Sequence, residues 1–364
     1  MTAHLLKVFL LCCILGLPII GKAEEVILPP PPGIYSVGTQ AIELPDPSRL
    51  MLRGQEIRRW RIQAFYPAKE QGGPYSYMPG TLKDGIIQGT HVLSWAQSDA
   101  VPLEQQKFPV IIFVPGRGAL RQQYTILLEE LASHGYVVLS MDQPYVANFV
   151  QFLDGGIIVL TFKDAWSVTR DRDYRYAYDD EVIAGALQDI FYLLDNLDKV
   201  EKIANLCNPE QTVVMGHSLG ANIAHNFGFN DKRINAIIDI DSKITERKVF
   251  GHLGVPPNKL KTPILFIRGA LQYQEDVGDQ LTKVENATIW PPLVEHSAFS
   301  DNIYLAAKID NFGKQRMIWN LYNWPFNIGP FWDSIDTSVG AQTIDNWISH
   351  YRQHIVQWLA VTLP

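Results

Sequence analysis

The chain has 364 residues, 47% of them hydrophobic and 19% charged, with a formal net charge of -7. This is an ordinary globular composition, long enough for one large α/β domain or two small ones, and it shows no solenoid-period repeat or low-complexity segment. The acidic balance offers no basic face for a phosphate backbone, so nucleic acid is excluded as an expected partner.

At the N-terminus, Lys7 precedes an apolar run from Val8 to Ile20, and the small residues Gly21 and Ala23 follow. This is the pattern of a secretory signal peptide over residues 1–23, with cleavage expected after Ala23 and one domain over 24–364. The apolar run is too short to span a bilayer comfortably, which argues against a retained anchor. Cys12 and Cys13 would leave with the signal. Cys207 would then be the sole cysteine of an exported chain, so no internal disulfide is expected.

The segment EEVILPPPPGIYSVGTQ reads as an extended, loosely held lead-in. RRWRIQAFYP, 58 to 67, alternates well enough for a strand. Five apolar, β-branched runs follow: FPVIIFVPG (108–116), YVVLSMD (136–142), QTVVMG (211–216), NAIIDID (235–241) and TPILFIRG (262–269). Their continuous hydrophobicity predicts parallel strands covered on both faces. A weaker run, ATIWPPLV, spans 287 to 294.

Helical spacing falls between these runs. It covers 122 to 134, the segment from Asp179 through Leu194, and a closing amphipathic stretch from Ile344 to Leu359. Strand and helix alternate, which predicts an open α/β sheet wound on both faces with its chemistry at the carboxyl ends of the strands. NFVQFLDGGIIVLTF, 148 to 162, interrupts the rhythm as a hairpin around Asp154-Gly155-Gly156. It reads either as a sheet extension or as a wall over the site.

TVVMGHSLGANIAHN, 212 to 226, places a Gly-x-Ser-x-Gly pattern between a strand and a helix. That context makes Ser218 the candidate nucleophile on a strained elbow, with the Leu219 amide aimed at the substrate carbonyl. Such a serine needs a base. In this arrangement the chain order is Ser, acid, His, which leaves His296 in PPLVEHSAFSD, directly after the last strand-like run. His350 and His354 have the spacing of helix-borne metal ligands. The third ligand and the glutamate of a zinc site are missing, so no metal or other cofactor is expected.

The acid stays open on the residues alone. Asp239 and Asp241, at i and i+2, face the same side of one strand, with Asp241 nearer its carboxyl end. Glu275 and Asp276 follow the next strand. The loop VPGRGALR supplies the second oxyanion donor, placed at the Arg117 amide. Phe149 and Phe152 of the hairpin, with Trp290 and Phe299 near the base, are candidate lining residues of a substrate pocket.

These motifs together resemble the platelet-activating factor acetylhydrolase family, serine-dependent phospholipases A2 of the α/β-hydrolase fold. GIYSVGTQ is similar to that family's opening motif. FPVIIFVPGRGALRQQY with LASHGYVV is similar to its oxyanion strand, loop and first helix. GHSLGA is similar to its elbow, AIIDID to the strand that ends in its acid, and EHSAFSD to its His-x-x-Phe-x-Asp segment. The resemblance covers roughly 33 to 67 and 108 to 304. It implies Asp241 as the acid and supports Arg117 and Leu219 as oxyanion donors.

The resemblance further implies calcium-independent cleavage of short or oxidised sn-2 acyl esters, a lipid ester as substrate and transient contact with a membrane surface. The chain departs from the family's His-Gly at Pro115-Gly116, from its second Gly at Ala221, and over 305 to 340. Two rivals remain: a general exported esterase, lipase or polyester hydrolase, and a non-catalytic binding protein of the same fold. NAT at Asn286 would be a glycosylation sequon only in a eukaryotic secretory route.

Overall fold

The structure is a computed structural model that describes residues 25–69, 72–78, 86–87, 90–160, 167, 171–242, 261–269, 286–292, 294–309 and 343–363. The proposed signal peptide, Glu275 and Asp276 lie outside these residues.

The elements follow in chain order. Strands β1 (Glu25–Ile27), β2 (Ser36–Leu50), β3 (Ile57–Ala68), β4 (Tyr75–Ser76), β5 (Ile86–Ile87), β6 (Thr90–Ser94) and β7 (Gln97–Ser98) lead to β8 (Phe108–Val114). Helix α1 (Thr125–Ser133), strand β9 (Val137–Asp142), the pair β10 (Phe149–Gln151) and β11 (Ile157–Val159), and helix α2 (Arg172–Asp195) come next. Then come β12 (Cys207–His217), α3 (Leu219–Asn230), β13 (Ile234–Ile240), β14 (Ile264–Ile267), β15 (Ala287–Trp290), α4 (Asp301–Lys308) and α5 (Ile344–Thr362).

The main sheet has the order β15-β14-β13-β12-β8-β9-β3-β2-β7. Every pairing from β15 to β9 is parallel, and β3 then runs antiparallel to both β9 and β2. The strands β8, β9 and β13 and the second half of β12, from Thr212 to His217, are buried almost throughout, which is why their sequences carry continuous apolar runs.

The winding direction positions the site. From β8 through α1 to β9 the chain steps one way across the sheet; from β12 through α3 to β13 it steps the other way. Right-handed crossovers therefore set α1 and α3 on opposite faces. The reversal falls between the neighbours β8 and β12, and such a switch point opens a crevice at the carboxyl ends of the strands.

The lead-in differs from its expectation. Val26 and Leu28 are buried, β1 pairs in parallel with β6, and the Leu28 N–H donates to Leu93 O at 2.8 Å. Apolar side chains at alternate positions, rather than the prolines, decide how firmly this segment is held. The predicted hairpin forms: Phe149 pairs with Val159, and the Gly156 N–H donates to Asp154 Oδ1 at 2.9 Å across the turn. Arg59 of β3 anchors it, with its guanidinium 2.8 Å from Asp154 and 4.0 Å from the Phe152 ring centroid. No helix among the described residues is long and apolar enough to cross a membrane.

Candidate active site

Ser218 stands between the end of β12 and the first residue of α3, with backbone angles φ 58 and ψ -120. That region is sparsely populated by residues with a side chain, so the turn is strained. The two glycines of the motif permit it by close approach. A Cβ on Gly216 would collide with the Gly220 carbonyl, and one on Gly220 with the carbonyls of Val114 and Pro115 on β8 and its loop. The Ser218 N–H donates to Ile240 O at 2.8 Å, tying the elbow to the end of β13.

Asp241 follows β13 in a second left-handed conformation, φ 53. Its Oδ2 lies 2.5 Å from His296 Nδ1, and its Oδ1 accepts the Gly269 N–H at 2.7 Å. The carboxylate is buried, while the imidazole is 43% exposed. With Nδ1 engaged by the acid, Nε2 is the nitrogen left to face a substrate-side group.

Asp239, two residues earlier, is buried in a different network. It accepts from Arg268 Nη1 at 2.8 Å, from Ser242 Oγ at 2.6 Å and from Ser242 N at 3.1 Å, and meets His225 Nδ1 at 2.8 Å. Burial would raise its pKa, but Arg268 and the bonds from His225 and Ser242 outweigh it and hold the carboxyl well below the usual range. The shared strand face expected of the two aspartates is broken because the left-handed turn takes Asp241 out of strand geometry. Asp239 thus braces the turn that presents Asp241.

The loop after β8 is fixed on both sides. The Arg117 guanidinium pairs with Asp179 of α2 and lies 6.0 Å from the Tyr178 ring centroid. The Gly118 N–H donates to Val146 O at 2.8 Å, and Arg121 pairs with buried Asp142. Among the described residues, the backbone N–H groups of Arg117 and Leu219 have no protein acceptor, as donors kept for an oxyanion would require.

The four candidate pocket residues fall into two groups, Phe149 and Phe152 on the hairpin and Trp290 and Phe299 against the shared ring of Trp347 at 5.9 and 5.7 Å. Phe152 is buried under Arg59 beside β3, with Phe149 half-buried on the same hairpin. Trp290 ends β15 at the opposite edge of the sheet and stacks on His354 at 4.1 Å. Phe299 is buried, with its ring 5.8 Å from His217 and 5.7 Å from Trp347.

Several residues around the site escaped the sequence. Arg268 was hidden at the end of an apolar run, and Tyr124, which directly precedes α1, carries no motif in the sequence. Asp301 caps α1, accepting the Thr125 and Ile126 N–H groups at 2.7 and 3.1 Å. Its place in the His-x-x-Phe-x-Asp segment was the available signal. His217, the variable residue of the elbow, bonds to both Tyr124 and the His296 backbone.

Comparison with known proteins agrees with this architecture. The family described as "Platelet-activating factor acetylhydrolase, isoform II" matches residues 88–145. A protein of Arthroderma benhamiae named "Probable 1-alkyl-2-acetylglycerophosphocholine esterase" is 25% identical over 247 residues. That match takes in 60% of this chain and 59% of the relative, so it spans less than two thirds of the relative's length. A ferulic acid esterase from Streptomyces cinnamoneus superposes with a TM-score of 0.69 at 21% identity, covering 91% of either chain, a likeness of fold. The chain has the α/β-hydrolase fold, and its sequence is similar to the platelet-activating factor acetylhydrolase family over residues 88–145.

Proposed function

We propose that this chain is an exported serine hydrolase of carboxylic esters, acting on short or oxidised sn-2 acyl groups of phospholipids. One observation carries the reading: the buried Asp241 carboxylate holds His296 Nδ1 at 2.5 Å, beyond an elbow that strains Ser218 into φ 58. Strain at one serine and a carboxylate-oriented imidazole are both costly unless used.

In the proposed reaction His296 Nε2 takes the Ser218 hydroxyl proton as Oγ attacks the ester carbonyl carbon. The carbonyl π electrons move to oxygen, where the Arg117 and Leu219 amides receive the negative charge. Asp241 keeps the imidazole in the Nδ1–H tautomer and stabilises the imidazolium. The tetrahedral species collapses, His296 protonates the leaving alcohol, and an acyl-Ser218 ester remains. Water, deprotonated by His296, attacks this ester and releases the acid with Ser218 restored. The scheme itself calls for no metal.

The substrate class is supported by the family match and by the name of the fungal relative. Hydrolysis of nitrophenyl esters of increasing acyl length, beside 1-alkyl-2-acetylglycerophosphocholine, tests it. The expected profile favours two to about six acyl carbons and includes the phospholipid. Preference for long chains or polymers with no phospholipid turnover would overturn the substrate class. Export rests on the N-terminal pattern and is tested by sequencing the N-terminus of secreted material, expected to begin at Glu24.

A further inference from the structure

His217 fills the variable position of the elbow motif, and its side chain is buried. Its Nε2 lies 3.1 Å from the backbone carbonyl oxygen of His296. A carbonyl oxygen only accepts, so Nε2 carries the hydrogen. Its Nδ1 lies 2.8 Å from Tyr124 Oη, and that Oη accepts the Gly116 N–H at 3.3 Å. The phenolic hydrogen is then free to be donated to Nδ1. One neutral tautomer satisfies all three bonds, whereas an Nδ1–H tautomer would leave the bare Nε2 lone pair against the His296 carbonyl oxygen. Burial, and after it the neighbouring His296 ring, push the His217 pKa well below its ordinary value, in keeping with that tautomer.

Three separate loops meet at this imidazole: Gly116 of the oxyanion loop, the elbow itself, and the 3-10 turn His296–Phe299 that carries the base. The His217 ring lies 4.5 Å from the His296 ring and 5.8 Å from that of Phe299, at the two ends of that turn. We propose that His217, held by Tyr124, is a positioning residue that fixes the height of the His296 turn over Ser218 and couples it to the oxyanion loop. The proposal rests on the reading of Ser218, Asp241 and His296 as an ester-hydrolysing triad. Small displacements matter at this range, since a misplacement of about 1 Å can cost on the order of 100-fold in rate.

Steady-state hydrolysis of nitrophenyl butyrate by wild type, His217→Leu, His217→Gln and Tyr124→Phe tests it, with thermal melting in parallel. Leucine fills the space without the bonds. Glutamine restores an amide donor toward the His296 carbonyl and an oxygen that accepts from Tyr124. His217→Leu is expected to lose roughly 100-fold in kcat with KM nearly unchanged, and His217→Gln to recover about tenfold of that loss. Tyr124→Phe, which deletes one hydroxyl, is expected to lose about tenfold in kcat, and it carries the test if His217→Leu does not fold.

A folded His217→Leu with wild-type kcat, a glutamine variant no better than leucine, or an unaffected Tyr124→Phe overturns the positioning role while leaving the triad reading intact. A folded wild type that hydrolyses no ester overturns the triad reading, and this proposal with it.

Discussion

Asp239 and Asp241 stand two residues apart yet serve different partners: Asp239 is clamped by Arg268 at 2.8 Å, and Asp241 reaches His296 at 2.5 Å. Substituting each to Asn separates the roles. Asp241→Asn is expected to keep its melting temperature and lose on the order of 10⁴ in kcat, because the imidazole loses its tautomer. Asp239→Asn leaves Arg268 buried beside a neutral amide, and breaking such a pair costs about 3–5 kcal/mol. Urea unfolding and ester kinetics on both variants check this, and equal activity losses would contradict it.

In the proposed mechanism Arg117 acts through its backbone amide, and the pairing of its side chain with Asp179 ties that loop to α2. Arg117→Ala keeps the amide and removes the pairing with Asp179. The expected loss in kcat is about tenfold, less than the roughly 100- to 1,000-fold of deleting an oxyanion donor. Asp179→Asn should produce a similar loss, and kinetics of the two single variants and the double variant would show the coupling.

Two buried carboxylates predict how stability depends on pH. Burial pushes Asp301 up to about 7 and Glu129 up to about 8. A carboxyl whose pKa is raised on folding adds stability that is complete below its unfolded value, near ~4, and is lost as pH rises through the folded value. The melting temperature should therefore decline between about pH 5 and pH 9. In Asp301→Asn, which cannot ionise, calorimetry should show a shallower decline.

The lead-in offers a contrast between neighbours. Leu28 is 1% exposed and Ile27 is 40% exposed. Leu28→Ala is expected to destabilise by about 2–5 kcal/mol, as for other buried leucines. Ile27→Ala should stay within ~0.5 kcal/mol in urea unfolding.

The parallel part of the sheet was legible because residues such as Val110–Val114 and Ala236–Ile238 are buried on both faces and are all apolar. Strand β2 was not: Pro45 and Pro47 mask it, and its place beside the short edge strand β7 lets it accept residues that donate nothing to a ladder. The small sheet of β1, β4, β5 and β6 uses strands too short to leave a period.

In the site, the Gly-x-Ser-x-Gly pattern between a strand and a helix singled out Ser218, and chain order with its place after the last strand-like run singled out His296. Asp241 needed the family resemblance, since an i, i+2 rule cannot foresee the left-handed turn that parts it from Asp239. His217 and Tyr124 were invisible because their partners lie 79 and 93 residues away, joined only by the crossing of strands.

Fluorophosphonate labelling with peptide mapping tests the central claim most directly, because the reagent reports an activated serine whatever the natural ester. The account predicts stoichiometric labelling of wild type at Ser218, none in Ser218→Ala, and labelling slowed by orders of magnitude in His296→Ala. A folded wild-type protein that remains unlabelled, or is labelled at another serine, would contradict it.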